Sequence, residues 1–195
     1  MGSDNNRVRD GRFHCNPICP RRVGHMYLLW GHVDTSFPLH GMIGPDWPCM
    51  ICTYVLILGG GMMFAQYVIL ETSLGWTGVM IELALAGVTC LAFTFAACTD
   101  PGIVFSELYD NVELEEGGGG SKNLCTLCNV VRPPGVTHCY DCDVCVEELD
   151  HHCPWTGKCI GKKNLRCFHL FLTSLFGLIF FSIAGLIMMT MIGDK

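Results

Sequence analysis

The chain has 195 residues, half of them hydrophobic and only 15% charged, with a net charge of -6 at pH 7 and a mean hydropathy of +0.38. Soluble globular domains carry about 25% charged residues, so composition excludes a disordered chain, a coiled coil and an ordinary soluble enzyme. The acidic balance argues against a nucleic-acid partner, which usually meets a basic excess.

The first 48 residues are rich in Gly, Pro and His and show no sustained periodicity. Their longest apolar run is Met26 to Trp30, too short for a signal peptide, so none is expected. Cys15 and Cys19, beside His14, read as free thiols rather than a metal or lipidation site. A first apolar span runs over residues 49–70, preceded by Trp47-Pro48, an interfacial anchor followed by a residue tolerated at a helix start. Gly59-Gly60-Gly61 either weakens this helix or lets a neighbour approach closely. A second span covers residues 79–98, with Glu82 one turn inside its start, where it can reach the interface. Asp100-Pro101-Gly102 and an acidic, then Gly-rich, linker occupy residues 99–121. A cysteine-rich segment follows at 122–168, and a third span, free of ionisable groups from Leu170 on, at 169–192. Each span approaches or exceeds the roughly 20 residues that cross a bilayer.

Charge sets the expected orientation. Arg7, Arg9, Arg12, Arg21 and Arg22 precede the first span, and none of the Lys or Arg lies in the hairpin from Glu71 to Gly78. Lys122, Arg132, Lys158, Lys162, Lys163 and Arg166 lie between the second and third spans. The positive-inside rule then puts the N-terminus and the cysteine-rich segment in the cytosol. The fold class expected is a mainly α, polytopic membrane protein with three transmembrane helices and a cytosolic metal-binding domain.

Fourteen cysteines would suggest disulfides in a secreted chain, but a reducing cytosol keeps them available for metal. Seven of them join three histidines in one stretch, Cys125-x2-Cys128-x9-His138-Cys139-x2-Cys142-x2-Cys145-x4-Asp150-His151-His152-Cys153-x5-Cys159. Two-residue gaps let a tight turn aim both thiolates at one ion, as in zinc knuckles. Two closed tetrahedral sites need eight ligands, and the stretch offers ten. The surplus falls within Asp150-His151-His152-Cys153, which holds the parts of a nucleophilic site: a thiol, an imidazole to take its proton and a carboxylate to orient the imidazole. The plainer alternative is a zinc-folded binding module on membrane helices without catalysis. A RING-type cross-brace needs a different Cys/His order and has no place for the Asp-His-His-Cys run.

Cys125 to Phe168, with Pro154 and Asn164, resembles the cysteine-rich domain of the DHHC family of protein S-acyltransferases, and Asp100-Pro101-Gly102 resembles that family's DPG motif. The resemblance implies two structural Zn²⁺ ions, one on Cys125, Cys128, His138 and Cys145, the other on Cys139, Cys142, His152 and Cys159. It implies Cys153 as nucleophile, His151 as base and Asp150 beside them. It implies a long-chain acyl-CoA as donor and cysteines of cytosolic or membrane-attached proteins as acceptors, at the Golgi, the endoplasmic reticulum or the plasma membrane. Lys158, Lys162, Lys163 and Arg166 are the candidates for the CoA phosphates, or for anionic membrane lipid at about 1 kcal/mol per charge. The family also has a fourth span and a TTxE motif that these residues do not contain. The chain is therefore expected to be C-terminally truncated, with an incomplete acyl slot and poor long-chain transfer.

Overall fold

The computed structural model describes residues 21–30, 41–104 and 124–193. Cys15, Cys19, Lys122 and the linker expected over 106–121 lie outside them. Three helices, α1 (Trp47–Tyr67), α2 (Gly75–Cys98) and α3 (Leu165–Gly193), are long and apolar enough to cross a membrane. Each starts earlier than hydropathy alone suggests. Pro48 occupies the first turn of α1, where its missing N–H costs nothing. The first turns of α3 take in the polar Arg166 and His169.

Small residues let the helices approach closely. Gly61 faces Ala86, where an added Cβ would come within 3.3 Å, whereas Gly59 and Gly60 face open space. Only one of the three glycines therefore serves packing. Ala92, Phe93, Ala96 and Ala97 of α2 pack against Phe171 and Leu178 of α3. Tyr54 stacks edge-on against Phe93 at 4.7 Å, and its hydroxyl shares a 2.7 Å hydrogen bond with Thr94 Oγ1. Glu82 does not reach an interface. It lies about two turns into α2, fully buried, and accepts a 2.9 Å hydrogen bond from Ser182 Oγ of α3.

The start of α1, the end of α2 and the start of α3 converge on one small β-rich domain. It contains three antiparallel hairpins: β4 (Leu124–Cys125) with β5 (Val130–Val131), β6 (Val136–Cys139) with β7 (Val144–Glu147), and β8 (His151–Cys153) with β9 (Lys158–Ile160). The stretch before α1, in which the sequence showed no periodicity, supplies a three-stranded sheet, β1 (Arg21–Val23), β2 (Met26–Trp30) and β3 (Gly41–Ile43). Val23, Met26, Leu28 and Met42 of that sheet share a core with Cys139, Cys142, Val144, Val146 and Cys159. Gly24 turns between β1 and β2 at φ +57°, pressed against the Cys142 carbonyl, and the neighbouring His25 N–H donates to that carbonyl at 2.8 Å.

Asp100-Pro101-Gly102 is the joint between α2 and this domain. Asp100 Oδ1 accepts from the N–H groups of Gly102 and Ile103, at 2.9 and 3.1 Å. Its other oxygen meets Lys163 Nζ at 2.9 Å. Ile103 then bridges Val146, so the chain leaving α2 lies along β7.

Candidate active site and metal centres

The two CxxC turns are built alike. Asn129 and Asp143, each one residue after the second cysteine of its pair, both sit at φ +54°, a left-handed conformation that Asn and Asp tolerate better than most residues. Strand register then divides the ligands. His138 faces Cys145 across β6 and β7, and His152 faces Cys159 across β8 and β9. The β6–β7 hairpin thus gives His138 and Cys145 to one cluster from its stem, and Cys139 and Cys142 to the other from its tip.

The result is two groups whose ligand atoms all lie within 4.8 Å of one another: Cys125, Cys128, His138 and Cys145, and Cys139, Cys142, His152 and Cys159. In the first, His138 Nδ1 lies 3.6, 3.2 and 3.9 Å from the Sγ atoms of Cys125, Cys128 and Cys145. In the second, His152 Nδ1 lies 3.6, 3.4 and 3.8 Å from those of Cys139, Cys142 and Cys159. A tetrahedron with Zn–S of about 2.3 Å and Zn–N of about 2.0 Å has N···S edges of roughly 3.5 Å. The donor sets fit zinc.

Their proton chemistry fits as well. Hydrogen bonding with Cys145 is the main influence drawing the Cys128 thiol down to about 6, with burial opposing. Hydrogen bonding with Cys142 is the main influence lowering Cys139. Their partners move the other way: Cys142 is pushed up to about 12, chiefly by its hydrogen bond with Cys139, and Cys145 upward by Cys128. Thiols this close cannot all ionise without a cation among them.

Asp150, His151 and Cys153 stand apart from these groups. Successive strand residues point to opposite faces, so His152 turns toward its cluster while His151 and Cys153 share the other face of β8. Asp150 Oδ2 lies 2.7 Å from His151 Nδ1, in a pair 55% and 40% exposed. The His151 ring packs edge-on against Phe168 at the start of α3, 5.3 Å between centroids. Cys153 is buried, at the entry to a short 3-10 turn, Pro154–Thr156, that carries the exposed Trp155.

The basic candidates do not form one patch. Lys158 is fully buried and its ammonium donates to the carbonyls of Thr99 and Met42. Burial is also the main cause that lowers its pKa, to about 8. It braces α2 and β3 against β9 and faces no solvent phosphate, which corrects its inclusion among the phosphate-binding candidates. Lys162, Lys163 and Arg166 are exposed. Lys162 pairs with Glu147 and Glu148, each at 3.3 Å, and Lys163 with Asp100.

Sequence reading passed over two residues of the site. Asn164, fully buried, donates to the carbonyls of Ala96 and Cys159 and accepts from Gly161 N–H, fastening α2, β9 and α3 together. The motif it belongs to gives no sign of this role. Asp46, just ahead of α1, places Oδ2 2.8 Å from His152 Nε2. No local pattern signals a contact across 106 residues.

Fold and site together define a polytopic membrane protein whose extramembrane domain holds two Cys/His metal-binding clusters and, outside both, a cysteine with a histidine on the same strand face. Residues 119–194 match the family model described as DHHC palmitoyltransferase. The chain is 52% identical over 156 residues to palmitoyltransferase ZDHHC9 of Homo sapiens, covering 63% of this chain and 42% of that protein. It is 39% identical over 113 residues to palmitoyltransferase ZDHHC8B of Danio rerio, covering 51% and 14%. It is 43% identical over 96 residues to palmitoyltransferase ZDHHC5 of Rattus norvegicus, covering 43% and 13%. Residues 119–194 are thus similar to the DHHC palmitoyltransferase family. The chain spans less than half the length of these relatives.

Proposed function

We propose that this chain is a protein S-acyltransferase, moving a long-chain acyl group such as palmitoyl from acyl-CoA to cysteine thiols of other proteins. The observation that carries the reading is the division of ten Cys and His side chains into two complete sets of four, with Cys153 and His151 left over. Those eight ligands would hold two zinc ions, which would supply a rigid frame for the hairpins. The chemistry belongs to the residues left over.

In the first half-reaction Cys153 gives its proton to His151, and the sulfur attacks the thioester carbonyl. The carbon–sulfur bond to CoA breaks, and CoA leaves as its thiol with the proton from the imidazolium. In the second half-reaction a substrate cysteine gives up its proton to His151 and attacks the acyl-enzyme, and Cys153 leaves as a thiol. Asp150 accepts a hydrogen bond from His151 Nδ1–H, which leaves Nε2 as the base and stabilises the imidazolium. One thioester replaces another, so the protein supplies positioning rather than driving force.

The acyl chain needs an apolar wall, since each buried methylene contributes about 0.8 kcal/mol. A cavity of about 340 Å³ between the helices, lined among others by Leu56, Gly60, Phe64 and Leu178, supports this part of the reading. Arg166, Lys162 and Lys163 are the side chains proposed for CoA phosphates or anionic lipid. The Lys/Arg distribution supports a cytosolic site. Labelling by a palmitoyl-CoA analogue tests the activity. The label is expected to be hydroxylamine-sensitive and absent from a Cys153→Ser chain that keeps its metals. An unlabelled chain with both metals bound would favour a binding module instead.

A further inference from the structure

We infer that Asp46 is a positioning residue for the second metal centre: its carboxylate, at the start of α1, holds His152 in the tautomer and direction that a metal on Cys139, Cys142, His152 and Cys159 requires. The inference rests on the reading that this cluster holds a metal.

Asp46 occupies the N-cap position of α1, yet its side chain makes no capping hydrogen bond. Such a bond typically contributes about 1 kcal/mol to a helix. The carboxylate turns instead to His152 Nε2, at 2.8 Å. A neutral imidazole has one N–H and one lone pair. With Nε2–H donated to Asp46, the lone pair sits on Nδ1, the nitrogen that faces the three thiols of the cluster at 3.4 to 3.8 Å. Metal-bound histidines commonly donate their second N–H to a carboxylate in this way, and losing the partner typically weakens metal binding 10- to 100-fold.

Among the described residues, the first centre has no such brace. His138 Nε2 is buried without a hydrogen-bond partner among the described residues, and Asp143 Oδ1 is 3.8 Å away, too far for a hydrogen bond. The two centres are therefore inequivalent, and the braced one is tied to a membrane helix.

The tie is more than one contact. Asp46 N–H donates to Gly157 O at 3.2 Å. Nearly two turns into α1, Thr53 Oγ1 donates to Trp155 O at 3.1 Å. These bonds grip the β8–β9 hairpin just beyond Cys153, while the carboxylate grips it just before, at His152. Orienting His152 therefore also sets the strand that presents Cys153 on its other face.

The test uses the whole chain in detergent, with Co²⁺ exchanged into both centres and a chelator titrated against the thiolate–cobalt absorption. Asp46→Asn is expected to release one metal 10- to 100-fold more readily, with the other unchanged. In a His152→Cys background, where a thiolate replaces the imidazole, Asp46→Asn should bring no further loss. Two metals held as in the parent by Asp46→Asn would overturn the inference alone. So would parallel loss from both centres, or an equal loss in the His152→Cys background, since Asp46 would then act through the fold. A parent chain with fewer than two metals would overturn the metal reading and the inference with it.

Discussion

Asp150, His151 and Cys153, the proposed catalytic residues, differ in exposure. Cys153 is buried, where a thiol is shielded from adventitious oxidants. The Asp150–His151 pair stands half in solvent, where an ion pair contributes at most about 1 kcal/mol to stability. In the proposed mechanism the pair therefore matters for chemistry far more than for folding. Asp150→Asn is expected to slow auto-acylation of Cys153 on the order of 10²-fold while the melting temperature of the zinc-loaded chain stays within error. A matched fall in both would make Asp150 a structural residue. Lys158 shows the opposite balance. It looks from the sequence like one more cation before the third helix, yet it is buried, with donors spent on carbonyls 59 and 116 residues away.

At the scale of elements, contact between the start of α1 and the β8–β9 hairpin depends on a missing side chain. A Cβ on Gly44 would overlap the Gly157 carbonyl and Lys158, whereas one on Gly59 would meet nothing. Gly44→Ala should cost roughly 1–3 kcal/mol through overpacking against backbone that cannot give, and Gly59→Ala should be close to neutral. Thermal unfolding of the two variants in the same detergent checks the contrast. Inside the bundle, among the described residues, Ser182 donates the one hydrogen bond that Glu82 receives, and Glu82 Oε2 is buried without a partner. Ser182→Ala should destabilise the chain by about 1–3 kcal/mol by orphaning the carboxyl. Replacing both, as Glu82→Leu with Ser182→Ala, should recover most of that loss. If the single and double variants melt alike, the pair contributes nothing to helix packing.

These elements also show what could be read in advance. The spans were legible because long uncharged runs are local signals, and the CxxC pairs because a knuckle is a single turn. The division of ligands came from family resemblance, and only strand register gives it a cause: His138 opposite Cys145, and His152 opposite Cys159. The β1–β3 sheet was not legible. Its strands are three to five residues long, too short for a pattern to rise above noise, and they are held by packing on Cys139, Cys142 and Val146. Glu82 was misplaced because α2 begins at Gly75, in a connection whose Thr72 caps the preceding turn by donating to Ile69 O at 2.7 Å.

For the molecule as a whole, one end of three helices and the cysteine-rich domain form a single unit. Asp100 and Asn164 join α2 to α3 through that domain, and Asp46 and Thr53 join α1 to it. The proposed function depends on a count: eight residues grouped as metal ligands, with Cys153 and His151 outside both groups. Metal analysis of the purified whole chain tests it most directly. Two zinc ions per chain are expected for the parent and for Cys153→Ser, and one or none for Cys128→Ser. A loss of zinc from Cys153→Ser equal to that from Cys128→Ser would put Cys153 in a coordination shell and contradict its role as the acyl-carrying nucleophile.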